Sequence, residues 1–309
     1  MTIRPKPFAV ARAFLGAFAL ALAMAAAAAP ARDAASSGGA QLRERFASMR
    51  DQIRHNGFGE PLRLLSHETD HAIEGEVYAL VDHPFGQVRE ALHEPGQWCD
   101  VLVLPFNVKG CEARPGEDAR LALLIGRHKD STPDDVYRLD FRFREEARDD
   151  DFLRIALRAP SGPLGTHDYR IVLEATPAAD PERTIVHLRY AYGYGWVSQL
   201  AMKAYLATVG ADNVGFTVQG RDGDGRPVYV RGMRGVMERN TMRYFLAIEA
   251  YLASLSAPPA RRDDARLEAW FRAVERYPRQ LHEMSLERYL AMKHREAQWV
   301  SAPRVSKGA

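Results

Sequence analysis

The sequence predicts an α+β protein in which a strongly curved antiparallel sheet packs around one long C-terminal helix. The first observation is a run of short segments between residues 108 and 194, most of which alternate apolar and polar positions. The second is the segment from Met233 to Leu255, whose apolar residues recur at helical spacing. Alternation with a period of two indicates strands with one wet and one buried face, which is typical of antiparallel sheets. The buried face must be covered, and helices are the elements available to cover it.

The predicted strands of the sheet are each bounded by turn residues such as Pro, Gly or Asp. The clearest strand runs from Tyr137 to Arg144, where Tyr, Leu and Phe alternate with Arg and Asp. A short amphipathic helix precedes the strands, and two short helices, through Val88 and around Trp98, follow the first strand. A hairpin at residues 214–230 comes directly before the long helix. The strands are predicted at residues 76–81, 108–113, 121–125, 137–144, 153–158, 169–174 and 184–194.

The N-terminus has the features of a cleavable secretory signal peptide. Three basic residues lie within the first twelve positions, and residues 13–29 carry no charge. Ala29-Pro30-Ala31 then matches the small-x-small pattern of a cleavage site, with the cut before Arg32. The alternative is a permanent membrane anchor, for which an apolar run of about 17 residues is at the short limit. We therefore expect a periplasmic or secreted protein.

This interpretation divides the chain into five segments. Residues 1–31 are the signal peptide and residues 32–41, rich in Ala, Ser and Gly, are predicted to be a flexible mature N-terminus. The folded domain is predicted over residues 42–257. A helical C-terminal extension follows over 258–300, and residues 301–309 are predicted to be a disordered tail.

Composition narrows the possible partners and the redox chemistry. The chain has 42 Lys and Arg against 40 Asp and Glu, so no nucleic-acid partner is expected. Its two cysteines are Cys99 and Cys111. An exported chain with a small, even number of cysteines favours one disulfide between them, the alternative being two buried free thiols. Neither cysteine belongs to a Cys-x-x-Cys pair, so no metal site is expected there.

A curved sheet that encloses one helix leaves an apolar space between the two, which is a natural place for a hydrophobic ligand. Tyrosines on the buried face of the last strand are the best candidates to contact it, because each has an apolar ring and a polar tip. The alternative is that they are ordinary core residues. The candidate lining residues are Trp98, Phe141, Phe143, Tyr190, Tyr192, Tyr194, Met237 and Tyr244.

Residues 195–213 form an insertion that is too apolar for a solvated loop. Its large side chains include Trp196, Leu200 and Tyr205. Three interpretations stay open for this segment: a lid over the cavity, a peripheral contact with a membrane surface, and simple core packing.

Three stretches resemble the START-like, helix-grip superfamily, also called the Bet v 1-like or polyketide cyclase (SRPBCC) group. They are Glu76–Leu92, a strand that leads through a Pro into a helix; Pro95–Trp98; and Gly232–Tyr244, the start of the enclosed helix. Together they bracket residues 74–255. The resemblance implies that a lipid, sterol or polyketide-like molecule binds in the cavity. The chain departs from the superfamily pattern in its export signal, its apolar insertion and its helical tail.

Other candidate chemistry is weaker. His67 and His71 lie in extended chain and would not share a face, so no metal is expected there. His187 is predicted on the solvated face of its strand, and Glu238 on a partly exposed edge of the long helix. No Gly-x-Ser-x-Gly elbow, phosphate loop or His-Glu-x-x-His is present, and no cofactor is expected.

The leading hypothesis is an exported carrier or sensor of a hydrophobic ligand. The second is a cyclase- or hydrolase-type enzyme in the same cavity, which a polar pair such as a carboxylate with a Tyr or His would favour. The third is an interaction protein of the cell envelope whose helices over 262–299 dock on a partner and whose cavity is filled by side chains.

Overall fold

An eight-stranded antiparallel sheet with a long helix packed against it forms the centre of the molecule, as the alternating pattern predicts. The computed structural model describes residues 31–126, 130–196 and 213–301. The strand order is β1-β2-β8-β7-β6-β5-β4-β3, so β1 and β3 are the edges. The strands are β1 Leu62–Glu68, β2 Ala72–Val81, β3 Val108–Arg114, β4 Arg120–Gly126, β5 Val136–Arg148, β6 Leu153–Ser161, β7 Thr166–Pro177 and β8 Thr184–Tyr194. A separate hairpin pairs β9 Val218–Arg221 with β10 Pro227–Tyr229.

The helices cover both faces of the sheet and one of its edges. The two short helices expected after the first predicted strand are α3 and α4, and the long helix is α5. The helices are α1 Ala31–Ser48, α2 Arg50–Arg54, α3 Phe85–Ala91, α4 Pro95–Leu102, α5 Gly232–Ser254, α6 Arg262–Glu275, α7 Pro278–Leu281 and α8 Leu286–Ser301.

The edge strand β1 was not predicted from the sequence. It pairs with β2 along its whole length, from Leu62 opposite Ala79 to Glu68 opposite Ile73. Only Leu62 and Leu64 of β1 are buried, so its alternation stops after three residues. Because the alternation is so short, the sequence before residue 72 does not indicate a strand.

The long helix α5 lies on the inner face of the sheet and packs mainly on β1 and β2. Gly75 of β2 makes this approach possible, because a Cβ atom there would lie 2.2 Å from the hydroxyl oxygen of Thr241 on α5. The helix buries apolar residues around most of its circumference, including Met237, Phe245 and Leu252. It is therefore a core helix rather than a surface helix.

Helix α1 begins at Ala31, so it includes residues 32–41, which the sequence predicts to be flexible. This helix packs on the outer face of the sheet, against β5, β7 and β8. Gly38 and Gly39 suggested a linker, yet they allow the close approach: Cβ atoms there would lie 2.6 Å from the Phe152 ring and 2.9 Å from the Asp151 carbonyl oxygen. A small second core, containing Leu42, Phe152 and Ile185, forms beneath the helix.

The C-terminal helices pack into the main core. Trp270 and Tyr289 are fully buried in it, and the Tyr289 hydroxyl donates a hydrogen bond to the Leu104 carbonyl at 2.9 Å. The described part of the chain from Ala31 onward forms one compact unit that includes this tail. Residues 302–309, which contain most of the predicted disordered tail, lie outside the described residues.

Two buried lysines and one buried glutamate join helix α8 to the edge strand β3. The carboxylate of Glu296 accepts from Lys109 at 2.7 Å and from Lys293 at 3.0 Å. Lys293 also donates to the carbonyl oxygens of Pro105 at 2.9 Å and Val108 at 2.7 Å. Burial lowers the pKa of Lys293 to about 8, against the opposing attraction of Glu296. The helix thus covers a sheet edge that would otherwise be free to pair with another chain.

The predicted disulfide is present between Cys99 of α4 and Cys111 of β3. It lies beside the charged cluster on β3 and joins this strand to a second helix. A bond that closes a loop of 12 residues stabilises a protein mainly by restricting the unfolded chain. The edge strand β3 is therefore joined to α4 by a covalent bond and to α8 by buried charges.

We expect the double substitution Cys99→Ser and Cys111→Ser to lower the free energy of unfolding by about 3 kcal/mol, since the constraint on the unfolded chain is lost. Urea denaturation followed by circular dichroism measures this value. Wild-type protein treated with a reducing agent is the matched control and should lose about the same amount. An unchanged unfolding midpoint in both samples would contradict the prediction.

We expect Glu296→Gln to destabilise the protein by about 3 kcal/mol or more, because two buried ammonium groups then lose the carboxylate that they share. Glu287→Gln, on the exposed side of the same helix, is the control and should change stability by less than about 0.5 kcal/mol. Both values come from urea denaturation at pH 7. Equal stabilities of the two variants would refute the role given to Glu296.

Candidate functional site

A cavity of about 190 Å³ lies between the inner face of the sheet and helix α5. Four tyrosines form much of its wall, and two asparagines supply amide groups. The hairpin between β6 and β7 forms its rim. The lining residues are Asn107, Ile125, Leu139, Pro163, Leu164, Thr166, Tyr169, Tyr190, Tyr192, Asn240 and Tyr244.

The tyrosines are brought together by strand periodicity and by the helix that faces them. Tyr190 and Tyr192 alternate with outward residues along β8, and Tyr169 lies on the neighbouring strand β7. The Tyr169 and Tyr192 rings stack with centroids 5.1 Å apart, and Tyr190 meets Tyr244 of α5 edge to face, also at 5.1 Å. Such contacts hold the rings in defined orientations. The wall is therefore already formed without a ligand.

The cavity exists because α5 packs closely against only one side of the sheet. Among the strands, β2 and β1 make the main contacts with the helix, and β8 makes fewer. Residues of β4, β5 and β7 that face the helix, namely Ile125, Leu139 and Tyr169, border the space on the other side. The helix packing thus decides where a ligand can enter the core.

The cavity wall carries no formal charge at neutral pH in the part of the chain that the structure describes. Burial raises the pKa of Tyr244 to about 12, and it raises the pKa values of Tyr190, Tyr192 and Tyr169 as well. Their hydroxyl groups are therefore protonated and can donate hydrogen bonds. No Asp, Glu, His, Lys or Arg is among the described residues that line the space. Such a wall suits a neutral ligand with few polar atoms.

Of the eight predicted lining residues, Tyr190, Tyr192 and Tyr244 line the cavity. The other five are buried in the core outside it: Trp98, Phe141, Phe143, Tyr194 and Met237. The Trp98 indole nitrogen donates to the Leu92 carbonyl at 2.8 Å, and the Tyr194 hydroxyl donates to the Thr69 carbonyl at 2.7 Å. Both polar tips are thus used in holding the local chain.

Several lining residues were not singled out from the sequence. Tyr169 begins the alternation of β7 on the buried face, so the same signal that indicated Tyr190 was present for it. Asn240 belongs to the apolar stripe of the long helix, where a polar residue among large apolar ones is a usable signal. Asn107 follows helix α4 in a loop and carries no such signal.

Of the three lid candidates, only Trp196 belongs to the described residues. Trp196 follows β8 directly, and 75% of its surface is exposed. Leu200 and Tyr205 fall within residues 197–212, which lie outside the described residues. Leu164, on the rim hairpin, is 69% exposed. Since Tyr194 pairs with Thr166, Trp196 and Leu164 lie at the same end of the sheet as the cavity rim.

Glu238 of α5 does not line the cavity and is not at an exposed edge, contrary to the prediction. It is fully buried and accepts hydrogen bonds from the Ser66 hydroxyl at 2.6 Å and from the backbone nitrogens of Phe216 and Thr217 at 2.6 and 2.8 Å. These bonds attach Phe216 and Thr217, which follow the segment 197–212, to helix α5. The function of Glu238 is structural.

His187 lies in a second polar cluster, on the outer face of the sheet, and the prediction that it is solvated is wrong. Only 7% of its surface is exposed, because helix α1 covers it. Its Nδ1 lies 2.8 Å from Glu174 and its Nε2 3.0 Å from Glu76, while the Tyr78 ring stacks on it at 4.1 Å. The sequence predicts a helix before the strands but not that it packs over His187, and this is the reason for the error.

The two carboxylates set the charge of His187. Burial alone lowers its pKa, but the hydrogen bonds and charges of Glu174 and Glu76 outweigh this effect and leave the pKa above its ordinary value. The hydrogen bond from His187 lowers the pKa of Glu76. Burial raises the pKa of Glu174, but the hydrogen bonds and charges of His187 and Arg154 outweigh burial and lower this pKa. The cluster is thus most stable when His187 is protonated and both carboxylates are ionised.

Within residues 31–126, 130–196 and 213–301, no group of three or more His, Cys, Asp or Glu side chains is placed to hold a metal ion. In those ranges no helix has both the length and the apolar character needed to cross a membrane.

Comparison with known proteins gives distant structural similarity. No family model matches the chain, and no curated protein matches it. A protein from Thermus thermophilus aligns with 14% identity and a TM-score of 0.38, over 60% of this chain and 99% of its own. A truncated norcoclaurine synthase from Thalictrum flavum aligns with 11% identity and a TM-score of 0.32, over 47% and 91%. A conserved protein of unknown function from Enterococcus faecalis aligns with 8% identity and a TM-score of 0.33, over 73% and 98%.

We expect His187 to make stability depend on pH. Its folded pKa is raised, so its contribution is fully present below about pH 6.5, the value of an unfolded histidine, and is lost as the pH rises through the folded pKa. The wild-type melting temperature should therefore fall between pH 6 and pH 9 by more than that of His187→Gln. His55→Gln, at an exposed position, is the control and should follow the wild type. Identical pH profiles for all three proteins would contradict the prediction.

Proposed function

We propose that this protein is exported and binds a neutral, ring-sized hydrophobic ligand, or the ring-bearing end of a longer one, as a carrier or sensor. The observation that carries the proposal is the uncharged cavity whose wall contains Tyr169, Tyr190, Tyr192 and Tyr244. The helix-grip arrangement, with the sheet on one side of the space and α5 on the other, supports a place among START-like proteins. Export rests on the N-terminal sequence, and the disulfide is compatible with an oxidising compartment.

The size of the cavity limits the ligand. An engineered apolar cavity of about 150 Å³ holds one benzene molecule, whereas pockets that enclose drug-sized ligands measure about 300–1,000 Å³. A space of about 190 Å³ therefore fits one ring system. If the ligand is a lipid or a sterol, as the family resemblance implies, only one end of it enters the described cavity.

The polarity of the wall limits the ligand further. Four tyrosine rings provide apolar and stacking surface, and protonated hydroxyls such as that of Tyr244 can donate to a ligand oxygen. The amides of Asn107 and Asn240 can donate or accept. A charged ligand would be costly here, since no described lining residue offers an opposite charge. A neutral ring with one or two oxygen atoms fits best.

The same observation weighs against an enzyme that uses this cavity. A cyclase or hydrolase needs a group that exchanges a proton near neutral pH, and the raised pKa values of the tyrosines make them poor at this task. The third hypothesis, a docking tail, has less support because Trp270, Tyr289 and their neighbours already bury the apolar side of the tail in the main core. The carrier or sensor is therefore the hypothesis that we favour.

Indole is a suitable first probe, since it is a neutral bicyclic ring, and indole-3-carboxylate is its charged counterpart. We expect saturable binding of indole in isothermal titration calorimetry, with binding of the carboxylate at least tenfold weaker. Leu139→Trp, which fills the cavity, should abolish binding. Native mass spectrometry of protein purified from the periplasm searches for the natural ligand in parallel.

Tyr244→Phe should weaken indole binding about five- to tenfold if the lost hydroxyl contacts the ligand, the usual contribution of one hydrogen bond. Tyr194→Phe removes a buried hydroxyl from the same core outside the cavity, and its affinity should equal that of the wild type. Absence of saturable indole binding, together with no copurifying ligand, would overturn the proposal. So would undiminished binding by a folded Leu139→Trp variant.

A further inference from the structure

A row of arginines crosses the outer face of the sheet, opposite the tyrosine cavity. Arg120 of β4 lies directly opposite Arg142 of β5, Arg142 opposite Arg158 of β6, and Arg158 opposite Arg170 of β7. With neighbouring strands about 4.8 Å apart, the four residues span about 14 Å in a straight line. Arg114 of β3, opposite Arg120, extends the same row.

The row is costly for the fold. Like charges directly opposite each other on neighbouring strands are destabilising. Three consecutive strand pairs here each carry such a contact in register. The side chains of Arg120, Arg142 and Arg158 are about half exposed, at 52%, 55% and 50%, so they do not serve core packing. Core packing therefore does not account for arginine at these positions.

Nearby carboxylates neutralise the row only in part. Asp118 pairs with Arg120 and lies 3.7 Å from Arg142, and Glu146 lies 3.1 Å from Arg158. Arg170 has no ion-pair partner among the described residues. Four guanidinium groups thus share two carboxylates, and positive charge remains along the row.

The row lines a groove of about 680 Å³. Arg138, Asp140 and Asp168 add two further acidic groups and one basic group to its walls, and Arg138 is paired with Asp140 at 3.0 Å. The groove continues past Asp168 and Arg170 into a second depression that contains His67, His71, His167 and Arg189. Together the residues that line the two depressions come from β1, β2 and β4 to β8.

We propose that this groove, defined by Arg120, Arg142, Arg158 and Arg170, is a binding site for a linear chain of phosphate groups. Guanidinium groups bind phosphate through two parallel hydrogen bonds. The ligand must displace the resident carboxylates of Asp118 and Glu146. A chain of phosphates has the higher charge density needed for this, whereas a single carboxylate would exchange one equivalent partner for another.

The geometry also favours a chain over other phosphate carriers. A single phosphate reaches one or two of the aligned residues, whereas a chain follows all four. Nucleic acid is less suited, because both aromatic residues of the groove wall, Phe141 and Tyr169, are buried and offer no exposed ring on which a base can stack. The proposal does not depend on the ligand in the tyrosine cavity.

The test compares orthophosphate, tripolyphosphate and a polyphosphate of at least ten units by isothermal titration calorimetry with the full mature chain. We expect affinity to rise with chain length, and to fall when NaCl is raised from 50 to 200 mM. Arg142→Gln with Arg158→Gln should bind the long chain about tenfold more weakly. The control pair, Arg226→Gln with Arg272→Gln, makes the same change in net charge at exposed positions outside the groove and should stay within twofold of the wild type.

Thermal stability separates a binding site from a structural array of ion pairs. The Arg142 and Arg158 double variant should melt at the wild-type temperature or above it, because all three like-charge contacts of the row are relieved. A lower melting temperature with unchanged polyphosphate affinity would overturn the proposal, as would equal affinity for orthophosphate and the long chain. Tighter binding of a single-stranded oligonucleotide or of polyglutamate than of polyphosphate would show that the ligand class is wrong.

Discussion

The close contact between helix α5 and strand β2 at Gly75 is the constraint on which the internal architecture depends. Any side chain at this position would collide with Thr241, so the helix reaches β1 and β2 only because Gly75 has none. The contact holds α5 toward one edge of the sheet. Space then remains on the opposite side, where Leu139 and Tyr169 face the helix without touching it closely enough to fill the gap. The cavity is thus a consequence of asymmetric packing and not of missing side chains.

The two faces of the sheet have opposite chemistry because successive residues of a strand point in opposite directions. Tyr169 faces the neutral cavity, while Arg170, the next residue, belongs to the charged row outside. Helix α1 divides the outer face: it buries His187 beneath it and leaves the arginine row uncovered. Strand β7 therefore contributes Tyr169 to the cavity, Glu174 to the buried ionic cluster and Arg170 to the exposed basic groove.

Periodicity along the chain made most of the fold predictable, and contacts between distant segments account for what was missed. The alternation of β5 to β8 and the stripe of α5 are local patterns that hold wherever the elements pack. By contrast, the first part of α1 was missed because Gly38 and Gly39 usually indicate flexibility, and only the approach of Phe152 reveals their use. The candidate site was half predictable for the same reason. Strand alternation identifies Tyr190 and Tyr192 as inward-facing, but the position of α5 decides that Met237 is core while Asn240 lines the cavity.

The thickness of a single sheet separates the cavity from the arginine row, which raises the question of whether the two sites act on each other. Most of their residues lie in regular strands, where side chains on one face can rearrange without moving those on the other face. One exception is the irregularity in β7 between His167 and Arg170, where Asp168 adopts a left-handed backbone conformation with φ of 52°. Tyr169 and Arg170 both belong to this stretch. This bulge therefore connects the two sites directly along the chain, because Tyr169 lines the cavity and the next residue, Arg170, belongs to the arginine row.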